Sequence, residues 1–237
     1  MEGATTKHMP SFLWQTSRRY TSPEMTIVLS PTEGRLTLGG RPPDLPSDKR
    51  LKYHWKTAGE ISSSQSEWTV DCPYLTMNDT KYPIKTGKVL FDTGAASIYL
   101  DESIVVAYYS HFPDTRLDDK GYHLISLANK EPKQTLNVDF HFKEDKLWLF
   151  DHIDPTSDIL DFDGKQYQRG AIQSTSVLHD SDKDPWTGPC LIGRIAMYNA
   201  DLNLHFAPGT TPKIFFREKK SRAEDDISQR PYDWGKF

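Results

Sequence analysis

The stretch VLFDTGAASIYLDESIVVAYY, residues Val89 to Tyr109, leaves this chain the fewest alternatives. Three apolar residues, Val89, Leu90 and Phe91, deliver a single carboxylate, Asp92. Thr93, Gly94, Ala95, Ala96 and Ser97 then turn the chain in small side chains, and Ile98, Tyr99 and Leu100 form a second apolar strip. Small residues let backbone amides approach a carboxylate that a bulky side chain would screen. This setting predicts a buried Asp92 with a functional role, because an unpaired buried charge is costly. Asp101 is the predicted N-cap of a helix from about Glu102 to Ser110. Its spacing puts Ile104, Val105 and Tyr108 on one face.

Most of the remaining chain reads as short strands between turn signals, which predicts a mainly β fold with short helices. Residues 1–24 are polar and aperiodic. Met25 to Leu29 and Arg35 to Leu38 read as a hairpin joined by a Pro-Gly-containing turn and closed by Gly39-Gly40. RPPDLPSDKR, 41–50, reads as a linker, since its three prolines favour extended backbone. A strand is expected to begin in Leu51 to Trp55, with a polar loop at Ser62 to Ser66. Further strands are expected at Trp68 to Val70 and Tyr74 to Met77, in alternating LNVDFHF from Leu136 to Phe142, and in the apolar run Leu147 to Phe150. Asn78-Asp79-Thr80 fits a glycosylation sequon but reads as an ordinary turn. Residues 179–188 form a polar loop. Cys190-Leu191-Ile192-Gly193 opens a short helix, Asp201 to Phe206 alternates as a strand, and Lys213 to Phe216 is the last strand before a charged, mobile tail from Arg217 to 237.

Apolar residues make up only 36% of the 237, which predicts a modest core and long polar loops. A formal net charge of −4 gives no basic footprint for nucleic acid. No apolar run is long enough to cross a bilayer, and the N-terminus lacks the apolar centre of a signal peptide. The chain as written therefore reads as cytoplasmic, or as secreted if its true start lies upstream. Cys72 and Cys190 read as two buried thiols, with a single disulfide as the alternative. Asp139 with His141, and Asp151-His152-Ile153-Asp154, suggest metal ligands; solvated loop charges are the preferred reading, since a site needs three or four convergent ligands. Neither a G-x-S-x-G elbow nor a phosphate-binding loop motif occurs. No cofactor is expected. The aromatic pairs Tyr108-Tyr109 and Phe215-Phe216 read as core.

Four landmarks in order resemble the pepsin-like aspartic protease family, peptidase A1, and its fungal members in tone. They are the hairpin ending in Gly39-Gly40, the Trp68 strand, Asp92-Thr93-Gly94 with its acid-capped helix, and Leu191-Ile192-Gly193 with the last strands. The resemblance implies a remnant hairpin of the first lobe at 25–40 and the C-terminal lobe at 51–216. It implies an aspartic-type endopeptidase acting on peptide or protein substrates. Asp92 would be the catalytic carboxylate, Thr93 would brace the loop, Gly94 would bring its amide to the carboxylate, and Gly193 would let a supporting strand of Leu191 and Ile192 pass beside it.

The departures define what this chain can do. Family members carry two Asp-Thr/Ser-Gly motifs and a tyrosine on a flap; here Asp92-Thr93-Gly94 is the only such tripeptide. Ala95 stands where many members place a Thr or Ser that bonds the aspartate. Aspartic proteolysis divides its work between an ionised and a protonated carboxylate, so the chemistry is incomplete. A homodimer with two Asp92 residues face to face is a minor alternative. The rival is a non-catalytic binding or accessory protein, for example in a fungal secondary-metabolite pathway.

Overall fold

The computed structural model describes residues 22–39, 55–61, 68–133, 136–149, 151–178, 186–206 and 210–219. The fold is mainly β, as expected, with two short α-helices among the described residues. The linker at 41–50, the start of the strand expected from Leu51, the 62–66 loop, Phe150, most of the 179–188 loop and the tail beyond 219 lie outside the described residues.

Strands β1 (Glu24–Leu29) and β2 (Gly34–Leu38) form the expected hairpin. β1 also pairs with β17 (Ala200–His205), which pairs with β18 (Lys213–Glu218), which pairs with β3 (Lys56–Glu60). The hairpin is therefore part of one five-stranded antiparallel sheet with the C-terminal strands, in the order β2-β1-β17-β18-β3. Two features hold this join. Asn203 donates to the Thr26 hydroxyl at 2.9 Å in the buried interior. Lys219 donates to the Leu29 carbonyl and sits 3.6 Å from Asp201, which also pairs with Arg217 at 2.9 Å. The last strand thus runs two residues beyond the expected Phe216, and Arg217 is an ordered part of it rather than the start of a mobile tail.

Each of two smaller antiparallel sheets joins two local hairpins from separate stretches of the chain. One is β12-β11-β5-β6, built from β5 (Tyr74–Met77), β6 (Thr80–Pro83), β11 (Val138–His141) and β12 (Lys146–Leu149). Asn78 and Asp79 turn β5 into β6 with φ of 46° and 67°, so the sequon residues do form a tight turn. The other is β13-β14-β10-β9, from β9 (Thr115–Leu117), β10 (His123–Ser126), β13 (Ile159–Phe162) and β14 (Lys165–Arg169).

The remaining sheet carries the Asp92 turn. It contains β4 (Thr69–Asp71), β7 (Lys88–Phe91), β8 (Ile98–Leu100), β15 (Ile172–Ser174) and β16 (Cys190–Ile192), in the order β15-β8-β16-β7-β4. Helix α1 (Glu102–Tyr109) follows β8 and buries Ile104, Val105, Tyr108 and Tyr109. The predicted face is therefore correct, with Tyr109 added. One continuous core joins these sheets, running through Val89, Ile98, Tyr108, Phe140, Leu149, Ile192, Ile195, Leu202 and Phe216. Asp101 occupies the N-cap position but makes no side-chain cap bond; its carboxylate accepts from the Lys85 amide at 2.8 Å instead.

Candidate functional site around Asp92

β7 ends at Phe91, whose side chain enters the core, so the next residue must leave the sheet plane. The Asp92 amide still donates to the Ile192 carbonyl at 3.1 Å, which fixes the residue at the edge of the parallel β7–β16 pairing. The chain then turns. The Ala95 amide donates to the Asp92 carbonyl at 3.2 Å, and the Gly94 amide donates to Asp92 Oδ1 at 2.8 Å. A Cβ on Gly94 would sit 3.1 Å from that same oxygen, so glycine makes the close approach of amide and carboxylate possible. This is the arrangement that the small-residue turn predicted.

The predicted burial of Asp92 is not observed. Asp92 is partly exposed, and Thr93 and Gly94 are exposed. The apolar approach controls the strand, while the outer side of the turn faces away from the core. Gly94 is the only partner of the Asp92 carboxylate among the described residues, and no second carboxylate contacts it. Thr93 makes no side-chain hydrogen bond among them either, so its side chain does not brace the loop. The brace is backbone: the Arg194 amide donates to the Ala95 carbonyl at 2.8 Å, and the Ile195 amide donates to the Ala96 carbonyl at 3.2 Å.

Those two amides open helix α2 (Arg194–Asn199), which begins directly after Gly193. β16 is threaded between β7 and β8, parallel to the first and antiparallel to the second. Leu191 lies opposite both Leu90 and Tyr99. Gly193 then passes under the turn so closely that a Cβ would lie 2.6 Å from the Ala95 carbonyl oxygen and nearer still to that of Ser97. Asp92, Gly94, Ala95, Leu191, Ile192 and Gly193 are therefore brought together in one unit. Sequence reasoning missed Arg194, whose only local signal was its position at the helix start.

Both cysteines are free thiols in the core, which excludes the disulfide alternative in this structure. Burial pushes each up to about 12, with Cys190 adding to the rise at Cys72 and Asp101 adding to it at Cys190.

The two histidine constellations are structural. Asp139 and His141 lie on β11, so the reading of them as solvated loop charges is corrected. Asp139 is buried and pairs with Lys146 at 3.5 Å, while His141 bonds the Thr76 hydroxyl at 3.0 Å and stacks on Tyr74. His152 shares a hydrogen bond of 2.9 Å with the Tyr108 hydroxyl, and burial lowers it to about 4. Among the described residues no three His, Cys, Asp or Glu side chains are grouped as metal ligands, and no helix is long and apolar enough to cross a membrane.

No family model matches the chain, and no curated protein matches it.

Proposed function

We propose that this chain is an aspartic-type endopeptidase of the pepsin-like kind in which Asp92 supplies one of the two reacting carboxylates. The observation that carries the reading is the unit just described. A carboxylate stands at the exposed lip of a strand, held by a glycine amide, with a second strand threaded beneath it and a glycine pressed against its turn. Such a group can take a proton from an attacking water. Polarising the scissile carbonyl needs a protonated partner, and two carboxylates sharing one water cannot both be ionised. That partner must come from a second copy of the chain or from residues beyond those described.

A specific observation favours a second reading: the Asp92 carboxylate is solitary among the described residues. A surface with only this half of the machinery holds a peptide without cutting it, as a binding or accessory protein would. The two readings separate on one experiment. The purified chain is incubated with an unfolded generic protein at pH 3–6, with and without a statyl inhibitor, while its mass in solution is recorded. Endopeptidase function predicts inhibitor-sensitive cleavage, abolished in Asp92→Asn. A folded chain that cleaves nothing, but still binds peptide as Asp92→Asn, would establish the second reading.

A further inference from the structure

A cavity of about 620 Å³ opens beside the Asp92 turn, with Ala96 and Arg194 in its wall. Its floor is one face of the β13-β14-β10-β9 sheet. Leu124 lies opposite Arg169, and Leu160 lies opposite Tyr167, two residues before Arg169. Side chains two apart on a strand share a face, so Leu124, Leu160, Phe162 and Arg169 line the same side. Apart from Arg169 the floor is apolar; the rest of the lining is mostly charged, with Ala96, Thr156 and Ser157 among it.

Asp154 is the decisive group. It is only 1% exposed, yet it lines the cavity. Its Oδ1 accepts from the Thr156 amide at 2.9 Å and the Thr156 hydroxyl at 2.7 Å. Its Oδ2 meets no hydrogen-bond partner among the described residues. A buried carboxylate oxygen in that state is costly and calls for a donor. Arg169 lies across the backbone from it, the Asp154 amide donating to the Arg169 carbonyl at 2.8 Å, but the two side chains form no ion pair. The Arg169 guanidinium is turned over the Tyr122 ring instead, 4.0 Å from its centroid.

The rim adds charge of the same sign. Asp118, Asp119, Asp158 and Asp161 join Asp154, against Lys120, Arg169 and Arg194, so five carboxylates face three cations. Asp119 and Asp158 are exposed and have no partner among the described residues. Arg169 Nε and Arg194 Nε are also buried without a hydrogen-bond partner among the described residues, but carboxylates outnumber cations in the wall. An apolar floor beside a net acidic wall with an unpartnered Asp154 oxygen fits a long aliphatic stem that ends in a cation.

We propose that this cavity binds the lysine or arginine side chain of a peptide whose backbone lies across the Asp92 turn, with Asp154 accepting from the cationic head. The proposal rests on the peptide-handling reading of Asp92 and names the substrate class that reading leaves open. Arg194, between the turn and the cavity, would meet a carbonyl of the same peptide rather than its side chain.

The test uses N-acetyl-lysine methylamide, with the norleucine and aspartate analogues as comparisons, titrated into the full chain at pH 7 and followed by amide chemical shifts. The expected result is saturable shifts at Leu124, Asp154 and Thr156, with the lysine probe binding about ten-fold or more tightly than norleucine. Asp154→Asn should remove most of that preference. Should Asp154→Asn fail to fold, the exposed pair Asp119→Asn and Asp158→Asn should reduce the preference several-fold in an otherwise unchanged spectrum. Equal binding of lysine and norleucine overturns the proposal. So does preference for the aspartate probe, which would assign the cavity to Arg169 and Arg194. The probes require no cleavage, so a chain that selects lysine but shows no Asp92-dependent turnover keeps the cavity proposal and loses the endopeptidase one; the reverse pattern does the opposite.

Discussion

Replacing Gly193 with alanine tests the architecture of the site through one methyl group. Gly193 has φ −87° and ψ −169°, an extended backbone that alanine adopts without strain. The constraint is space alone. The added Cβ would lie 2.6 Å from the Ala95 carbonyl oxygen, whereas ordinary contact begins at 3.4 Å, so strands and turn must separate by at least about 0.8 Å there and by more at the Ser97 carbonyl oxygen, which lies nearer still. Both neighbours are backbone, and neither can rotate away. The same movement stretches the Arg194 to Ala95 and Ile195 to Ala96 bonds, now 2.8 and 3.2 Å. Overpacking costs about 1–3 kcal/mol, and each weakened hydrogen bond about 0.5–1.5 kcal/mol. Gly193→Ala should therefore lose about 2–6 kcal/mol, a large part of the stability of a typical domain. Urea unfolding at pH 7, followed by tryptophan fluorescence, measures it. Gly87→Ala is the comparison: it has open space but φ +65°, so its cost is conformational and about 1–2 kcal/mol. A Gly193→Ala variant within about 0.5 kcal/mol of wild type would refute the threaded arrangement.

Other consequences follow from buried groups. His152 is lowered from 6.5 to about 4, so the proton prefers the unfolded chain. The stability this contributes is full above pH 6.5 and is lost as pH falls towards 4. After allowance for partial exposure of the ring the loss is about 2–3 kcal/mol, and urea midpoints from pH 7 to 4 should fall less steeply in His152→Gln. Asp201→Ala removes the carboxylate that pairs with Arg217 and Lys219 in a largely buried setting and should cost about 3–5 kcal/mol by the same assay; a loss under about 1 kcal/mol would show that the join between β1 and the C-terminal strands does not depend on this triad. Cys72 and Cys190, both pushed up to about 12, should react with an aromatic disulfide reagent only on unfolding; labelling of either within minutes in the native state would contradict the packing.

The strands were legible where alternation or apolar runs controlled them. Val89 to Phe91 and Cys190 to Ile192 are strands because each buries a continuous apolar side, and the glycine at Gly193 marks a close passage of two backbones. What local pattern could not supply was partnership. Nothing near Arg217 signals Asp201, so local pattern ends the strand too early. Nothing near Asp101 signals the Lys85 amide, which takes its carboxylate from the helix end. Local pattern places Asp139 in solvent because charge usually sits there; Lys146, across the strand pair, allows it to be buried. The apolar approach to Asp92 predicts burial, but a strand end inherits burial only on the side that packs. Asp154 belonged to a charged cluster in the sequence, and its unpartnered oxygen is visible only once the sheet face is assembled.

These features bear on how an assay at acid pH is set up. Stability falls across the range in which two carboxylates would share a proton, so foldedness must be followed alongside turnover at each pH.

Titration of a statyl peptide into the wild-type chain and into Asp92→Asn, by calorimetry at pH 5, tests the claim about Asp92 most directly. The variant is nearly isosteric at a partly exposed position, so the fold should persist. A hydrogen bond to a charged group is worth about 1.5–3 kcal/mol, so the wild type should bind roughly ten- to a hundred-fold more tightly than Asp92→Asn. Equal affinity of the two chains, or binding by neither while both remain folded, would contradict the assignment of Asp92 as the reacting carboxylate.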